Sequence, residues 1–300
     1  MKKIQSKNIV LIKALFVMLL WGSLFPMVKL GFNVYSVKTT GDILLFAGIR
    51  FLICGLAISF YSLFTEKEQF ENAKSSFVPV LLSGVFAIIL HYSFTYIGLN
   101  LTNSSKTAIL KQTGVLFYVC FSALFFKDDK LTSKKLIGVL LGFFGIVAIN
   151  SDKNGVSFEI GDAFIIAASF CTVFANVISK KVFANVSPIT STGVSQLFGG
   201  IVLVIIGVLL GGKVYFNHSW WIMGYICLAS IFSYCIWYGT VKNAELSKLF
   251  IIKFAEPVFS ALFGAVILRD NIMRLEYLIA FILIAIGVTI SHSGKQKKSS

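Results

Sequence analysis

Ten long apolar stretches follow one another along the chain, and no other feature restricts its fold as strongly. They occupy roughly residues 9–30, 42–64, 77–98, 104–126, 133–150, 160–181, 188–211, 219–241, 246–268 and 273–292. About 20 apolar residues suffice for one helical crossing of a bilayer, and in lipid only helices and closed barrels satisfy the backbone. Because the stretches lack the period-two alternation of barrel strands, the sequence predicts an all-α integral membrane protein with ten transmembrane helices.

The number and distribution of charged residues support this interpretation and predict the orientation of the chain in the membrane. Only 13% of the 300 residues are charged, against about 25% in ordinary soluble domains. If the N-terminus is cytoplasmic, seventeen of the 27 basic residues fall in inside segments and five in outside segments. This bias predicts a multi-pass plasma-membrane protein with both termini in the cytoplasm. The net charge of +14 therefore needs no nucleic acid partner to explain it.

The two halves of the chain resemble each other at a constant offset of 142 residues. Ser105-Lys106 aligns with Ser247-Lys248 and Lys111 with Lys253, within 8 identities over 24 positions. The match continues through Tyr96 with Tyr238 and Gly145 with Gly287. With the ten apolar stretches numbered as spans 1 to 10, the match aligns span 4 with span 9 and span 5 with span 10. Each half therefore holds five helices. An odd number of crossings inverts the second half relative to the first, an arrangement suited to alternating access.

Short motifs occur in order along these spans. Span 1 carries Trp21-Gly22-Ser23-Leu24-Phe25 and then Lys29, span 2 carries Arg50-Phe51, and span 9 carries Glu256-Pro257-Val258 followed by Leu268-Arg269-Asp270. With ten spans and a five-helix repeat, they resemble the EamA-type members of the drug/metabolite transporter superfamily over almost the whole chain. The resemblance implies two repeats, residues 1–152 and 153–300, that move small metabolites, amino acids or drugs, often outward.

The chain departs from the family pattern at three positions. Val115 replaces the proline expected in the first half, and Asp128 and Asp270 replace the usual glutamates. Without its proline, span 4 is predicted to be straighter than span 9. The resemblance fixes neither the substrate nor the residues that bind it.

Two lysines are the main candidates for substrate binding. Lys111 and Lys253 lie inside spans 4 and 9 at equivalent positions of the repeat. A lysine at that depth is costly unless it pairs, snorkels or faces water. We interpret both as residues that attract a carboxylate or phosphate. The alternatives are snorkelling and, for Lys253, an ion pair with Glu256 one helical turn away.

Three further residues of the spans suggest roles in binding, coupling or movement. Glu256 is the clearest carboxylate within a span and is the candidate proton-coupling residue, although a neighbouring lysine favours its charged form. Pro257 is the candidate hinge, because it leaves the carbonyl one turn earlier without its usual donor. Arg50 either binds an anionic group through its two-pronged guanidinium or holds span 2 at the interface near Asp42.

Polar and aromatic residues recur at helical spacing on the inner spans and are predicted to face a substrate path or a neighbouring helix. The substrate-binding candidates among them are Trp21, Tyr96, Asn176, Trp237 and Tyr238. His91 is interpreted as a hydrogen-bonded packing residue. Gly138, Gly142 and Gly145 of span 5 predict close helix packing, either within the chain or in a homodimer.

The leading hypothesis is a secondary transporter that exports small polar metabolites, such as amino acids or organic acids, by alternating access. The alternatives on the same fold are efflux of drugs or other cations, which the aromatic residues would suit, and flipping of lipid headgroups. The three histidines are scattered, and no HExxH, GxSxG or phosphate loop occurs. We therefore predict no enzyme, no catalytic residue, no cofactor and no metal site.

Overall fold

A computed structural model describes residues 7–101, 110–150, 159–216, 218–267 and 275–292. Within these ranges every regular element is helical. The helices are α1 (Lys7–Val34), α2 (Thr40–Thr65), α3 (Lys67–Ser75), α4 (Phe77–Gly84), a π-helical turn (Val85–Leu90), α5 (His91–Leu101), α6 (Thr113–Phe125), α7 (Ser133–Asn150), α8 (Ile160–Val182), α9 (Pro188–Leu209), α10 (Trp220–Val241), α11 (Leu246–Ile252), α12 (Ala255–Ile267) and α13 (Leu275–His292). Lys106 and the Leu268-Arg269-Asp270 motif lie outside the described residues.

Seven helical stretches of the described chain are long and apolar enough to cross a membrane. Five are single helices, namely α1, α2, α8, α9 and α10. The other two are composite, Phe77–Gly98 and Leu246–Ile267, and α6 and most of α13 form shorter apolar helices. The predicted all-α membrane fold is confirmed in class, while the number of ten crossings stays a prediction.

Helix packing repeats when the two halves of the chain are exchanged. In the first half α1 packs against α10 and α12, and in the second half the corresponding α8 packs against α5 and α6. The remaining large contacts join α2 to α9 and α7 to α13, each pair being one helix and its counterpart at the 142-residue offset. The structure therefore carries an approximate two-fold relation between its halves.

Small residues allow two of these helix pairs to approach at backbone distance. A Cβ added to Gly55 of α2 would lie 2.2 Å from the backbone nitrogen of Leu197 in α9. In the same way, a Cβ on Gly138 of α7 would lie 2.7 Å from the carbonyl oxygen of Gly287 in α13. Glycine at such crossings is the usual means of close packing in lipid. Gly138, Gly142 and Gly145 all pack within the chain, so these positions are not available to a second copy.

The helix connections meet in two groups at opposite ends of the bundle. At one end Ser187 donates its backbone N–H to Gln69 (2.9 Å), and the Lys180 ammonium donates to the carbonyl of Ala244. At the other end the Tyr35 hydroxyl donates to the carbonyl of Ser219 (2.7 Å). The first group contains the segments that the charge bias assigns to the cytoplasm.

Asp42 closes the N-terminus of α2 at the second of these ends. Its carboxylate accepts the backbone N–H groups of Thr39 (2.8 Å) and Lys213 (2.7 Å), and Thr39 caps the helix in return. This reciprocal capping satisfies donors that a helix leaves free. Arg50 takes no part in it, so the predicted role of Arg50 as an interface anchor beside Asp42 is wrong.

Candidate functional site

Two tyrosines that are equivalent in the repeat meet at the centre of the bundle. The hydroxyls of Tyr92 and Tyr234 are 2.9 Å apart, and these residues are separated by the 142-residue offset. A residue touches its own counterpart only where the two-fold axis passes, so the axis runs between the two phenols. Their neighbours one turn later, Tyr96 and Tyr238, are likewise counterparts and are both buried.

Helix breaks at equivalent positions bring Lys111 and Lys253 toward this centre. Span 9 is interrupted at Lys253 and Phe254, between α11 and α12. Span 4 is interrupted at Gln112, the counterpart of Phe254, directly before α6. The carbonyl oxygen of Gln112 accepts the N–H groups of both Val115 (3.0 Å) and Leu116 (3.1 Å), so α6 begins directly after this residue. Residues 104–109 of span 4 lie outside the described residues, and the prediction that span 4 is straighter than span 9 stays a prediction.

The ammonium of Lys253 lies among aromatic rings. It is 5.1 Å from the centre of the Trp21 ring and 5.6 Å from that of Trp237, with Phe250 at 5.7 Å. Cation–π contacts of this kind are strongest where water is displaced. No carboxylate of the described residues lies within 4.0 Å of this ammonium, so the alternative of an ion pair between Lys253 and Glu256 is not observed.

Glu256 is instead nearest to the lysine of the other half. Its carboxylate is 3.9 Å from the Lys111 ammonium, and the two side chains are only 13% and 19% exposed. Lys111 also lies 4.5 Å from the centre of the Phe25 ring. Glu256 stands in the first turn of α12, where the helix dipole favours a negative charge. A long, partly shielded ion pair thus links the two halves.

Pro257 occupies the first turn of α12, where a proline fits a helix. The carbonyl of Lys253, one turn earlier, accepts the N–H of Glu256 (3.0 Å). That carbonyl therefore has a partner, contrary to the expectation from sequence. The interruption of span 9 lies directly before this turn.

Arg50 is buried to 98% among phenol rings. Its Nε donates to the Ser230 hydroxyl at 2.9 Å, and its Nη2 has no hydrogen-bond partner. The guanidinium carbon is 5.6 Å from the centre of the Tyr92 ring. Leaving a donor of a charged group unsatisfied in a buried site is costly. Arg50 is thus a buried charged residue that keeps one hydrogen-bond donor without a partner.

Asn176 supports the aromatic centre through hydrogen bonds. Its carbonyl oxygen accepts the indole N–H of Trp237 (2.7 Å), and its amide donates to the backbone carbonyl of Thr172 (2.8 Å). The Nδ1 of His91 lies 3.0 Å from the carbonyl oxygen of Ala168, in keeping with the predicted packing role. Trp21 contacts the rings of both Tyr234 and Trp237.

A second charged cluster joins the halves at the end assigned to the cytoplasm. Asp129, 3% exposed, accepts hydrogen bonds from the Lys135 ammonium (2.7 Å), the Ser247 N–H (3.0 Å) and the Tyr118 hydroxyl (3.0 Å). Burial acts to raise the pKa of Asp129, and the hydrogen bonds from Lys135 and Ser247 outweigh it, so the pKa lies below its ordinary value. The carboxylate thereby caps α11 from the opposite half.

The sequence pointed to some of these residues and missed others. Tyr92 and Asp129 were not singled out. The repeat offset would have identified Tyr92, because its counterpart Tyr234 lies one helical turn before the predicted site residue Tyr238. Asp129 had no such signal, since the adjacent Asp128 is the residue that matches the family pattern, and Asp128 is exposed. Within the described ranges no group of three or more His, Cys, Asp or Glu could hold a metal ion.

The fold and this centre define a multi-pass membrane protein built from two related halves around buried charges and aromatic rings. The chain belongs to the EamA-like transporter family, whose model matches residues 8–151 and again 159–292. It is therefore a transporter of the membrane, as the sequence predicted.

Individual relatives agree with this assignment over nearly the full length. The uncharacterized transporter YoaV of Bacillus subtilis is 25% identical, covering 91% of this chain and 92% of its own. The uncharacterized inner membrane transporter YedA of Escherichia coli K12 is 23% identical, covering 92% and 88%. One solved crystal structure superposes with a TM-score of 0.76 at 21% identity, covering 95% and 96%, and shows the same fold.

Proposed function

We propose that this protein is a secondary transporter that exports small polar metabolites bearing an anionic group across the plasma membrane. The observation that carries the proposal is the charge of its centre. Arg50, Lys111 and Lys253 face only one carboxylate of the described residues within 4.0 Å, that of Glu256. A cation in this setting requires a compensating charge, and an anionic substrate supplies it.

The architecture proposed for transport is ten helices in two inverted five-helix repeats, residues 1–152 and 153–300, with both termini in the cytoplasm. The exchange symmetry of the helix contacts supports it, as does the double family match. Inverted repeats allow alternating access around a site near the midplane. The Asp129 contacts then close the cytoplasmic end, and they must separate when the protein opens inward.

The proposed substrate site lies around the two-fold axis. Its lining residues are Arg50, Lys111, Lys253, Trp21, Tyr96, Trp237 and Tyr238. Asn176 is proposed to orient the indole of Trp237 rather than to touch the substrate, because both of its polar ends are engaged. Pro257 is the proposed hinge, beside the break in span 9.

Efflux of cationic drugs is less well supported than transport of anions. A cation would need the open faces of Trp21 and Trp237, and the protein's own Lys253 ammonium already lies over both. The positive charges of Lys253 and Lys111 would repel a cationic drug further. For lipid-headgroup flipping, no specific contact offers comparable support.

A thermal-shift screen of the detergent-purified full chain tests the proposal. The panel contains organic acids, amino acids, phosphorylated sugars and cationic drugs, because a compound that binds only the folded state raises the melting temperature. We expect stabilisation by anionic compounds and their efflux from proteoliposomes. Stabilisation by cationic aromatic compounds alone would contradict the proposal.

Replacing Lys253 is expected to weaken binding of the anions that stabilise the wild type. Lys253→Ala should raise their dissociation constants about tenfold or more, because a desolvated charge partner is lost. Lys29→Ala removes an exposed lysine of α1 and serves as the control. Unchanged affinity in Lys253→Ala would remove this lysine from the site.

Glu256 is proposed to carry the coupling proton, since it pairs with Lys111 across the two halves. Glu256→Gln should still exchange labelled substrate across proteoliposomes and should no longer respond to an imposed pH gradient. Glu71→Gln, which breaks only the exposed ion pair with Lys74, is the control. A gradient response equal to that of the wild type would assign coupling elsewhere.

A further inference from the structure

The proposed site has a cation at each of two ends. At the arginine end, Arg50 is buried to 98%, and its Nη2 has no hydrogen-bond partner. Its electrostatic neighbours there are Tyr92, Tyr96 and Tyr234. No carboxylate of the described chain lies within 4.0 Å of it. The net charge of this end is therefore +1.

The lysine end has the same net charge by a different route. Lys111 and Lys253 contribute two positive charges, and Glu256, 3.9 Å from Lys111, contributes one negative charge. The repeat counterpart of Glu256 is Gly114, so the first half supplies no matching carboxylate. Lys253 is consequently left among rings, without an acidic partner within 4.0 Å in the described residues.

Aromatic rings connect the two ends. Tyr92 stands beside Arg50 and shares a hydrogen bond with Tyr234. The Tyr234 ring lies 5.7 Å from that of Trp21, which in turn is 5.1 Å from the Lys253 ammonium. A series of ring contacts therefore runs from Arg50 to Lys253, with a positive charge at either end.

We propose that the substrate is a small dianion whose two anionic groups lie at its opposite ends, that is, a short dicarboxylate. One carboxylate accepts a hydrogen bond from the free Nη2 of Arg50, and the other lies against the Lys253 ammonium. The rings between them contact the apolar part of the substrate. Both ends are positively charged, so the ammonium of a zwitterion would lie against a cation in either orientation of the molecule. The charge pattern therefore disfavours amino acids. This inference rests on the function proposed above and narrows its substrate class.

Three probes of equal chain length isolate the charge requirement. Butanedioate, butanoate and 4-aminobutanoate share a four-carbon chain and one carboxylate, and their fourth carbon is a second carboxylate, a methyl group or a methylene that bears an ammonium. Thermal shifts of the full chain are measured at pH 7.5 in buffer free of carboxylates and phosphate, with the five- and six-carbon dicarboxylates included to vary the distance between the two charges. The best dicarboxylate should bind about 30-fold or more tightly than the monoanion of the same length, and 4-aminobutanoate should be the weakest of its set.

Variants at each end test where the two charges lie. In Arg50→Gln and in Lys253→Gln the preference for the dianion over the monoanion should disappear, while Lys29→Gln should keep it. If Arg50→Gln is not recovered folded, Arg50→Met replaces it, since it also removes the charge and keeps an unbranched side chain that suits a buried position. Loss of the preference in only one of the two variants would overturn the assignment of a carboxylate to the other end.

The outcomes separate this inference from the function on which it rests. Equal binding of monoanion and dianion, or tighter binding of 4-aminobutanoate, would overturn the dicarboxylate assignment and leave anion transport standing. Tighter binding of a phosphate monoester than of every dicarboxylate would also overturn the dicarboxylate assignment and leave anion transport standing, because a phosphate monoester carries both charges at one end. Absence of stabilisation and of efflux with every anion tested would overturn the proposed function itself.

Discussion

Asp129→Asn is expected to lower the free energy of unfolding by about 3–5 kcal/mol, the usual result of removing one partner from a buried ion pair. The change removes the carboxylate that lies 2.7 Å from the buried Lys135 ammonium and leaves the Glu245 carboxylate, at 3.9 Å, as the nearest counter-charge among the described residues. The Asn amide has one oxygen in place of two, and it cannot accept from Lys135, Tyr118 and Ser247 together. Unfolding in mixed micelles with rising SDS, followed by tryptophan fluorescence, measures the difference.

The adjacent Asp128 provides a matched control. It is exposed, whereas Asp129 is 3% exposed, so Asp128→Asn should change stability by less than about 0.5 kcal/mol. Equal effects of the two substitutions would contradict the assignment of Asp129 as the buried capping residue.

The pH dependence of stability gives an independent measurement on the same residue. The folded-state pKa of Asp129 lies below its ordinary value of 3.8, so its contribution is complete above pH 3.8 and is lost as the pH falls through the folded-state pKa. The difference in stability between wild type and Asp129→Asn should therefore be constant at neutral pH and shrink only below about pH 4. A difference that already shrinks between pH 7 and 5 would contradict this.

Gly55→Leu is expected to destabilise the protein by about 3 kcal/mol or more, at the upper end of overpacking effects. Even the first added carbon would lie 2.2 Å from the Leu197 nitrogen and 2.5 Å from its Cα. Both are backbone atoms, so no side-chain rotation relieves the clash and α2 must move away from α9. The measurement is the melting temperature, together with the fraction recovered as a single species on size exclusion.

Gly224→Leu is the control for this substitution. Gly224 lies within α10, and a Cβ there meets no atom within 4 Å. Leucine is also the better helix former, so this variant should be as stable as wild type or more so. Comparable loss in both variants would show that the α2–α9 crossing is not the cause.

The central site combines symmetric and asymmetric residues, and the two kinds have different consequences. The Tyr92–Tyr234 pair, the Tyr96–Tyr238 pair and the two lysines follow the repeat and surround the axis. Arg50 and Glu256 have Thr192 and Gly114 as counterparts and break the symmetry. Symmetric residues suit a structure that exchanges the states of its halves, whereas Arg50 and Glu256 make the charges of the two halves unequal.

The class of the protein follows from the hydropathy of the chain and the spacing of its residues. Long apolar stretches leave no alternative to membrane helices, because backbone groups in lipid must be satisfied within the element. A constant offset of 142 residues predicted that corresponding helices pack alike and that Lys111 and Lys253 are equivalent. These properties depend on local hydropathy and on residue spacing, both of which can be read along one dimension.

Which charged residues become partners depends on how the helices pack, and the spacing of residues in the chain does not predict it. Sequence spacing placed Glu256 with Lys253 on one helix, yet its carboxylate lies nearest to Lys111 of the other half. The sequence leaves Arg50 with two possible roles, binding an anionic group or holding span 2 at the interface near Asp42, and the structure places it beside phenols of other helices. In the sequence Asp129 does not differ from its exposed neighbour Asp128, and it is the packing of α11 against Asp129 that buries it. Pairing across a bundle depends on how helices cross and rotate, and many packing contacts far from the charged residues together determine that geometry.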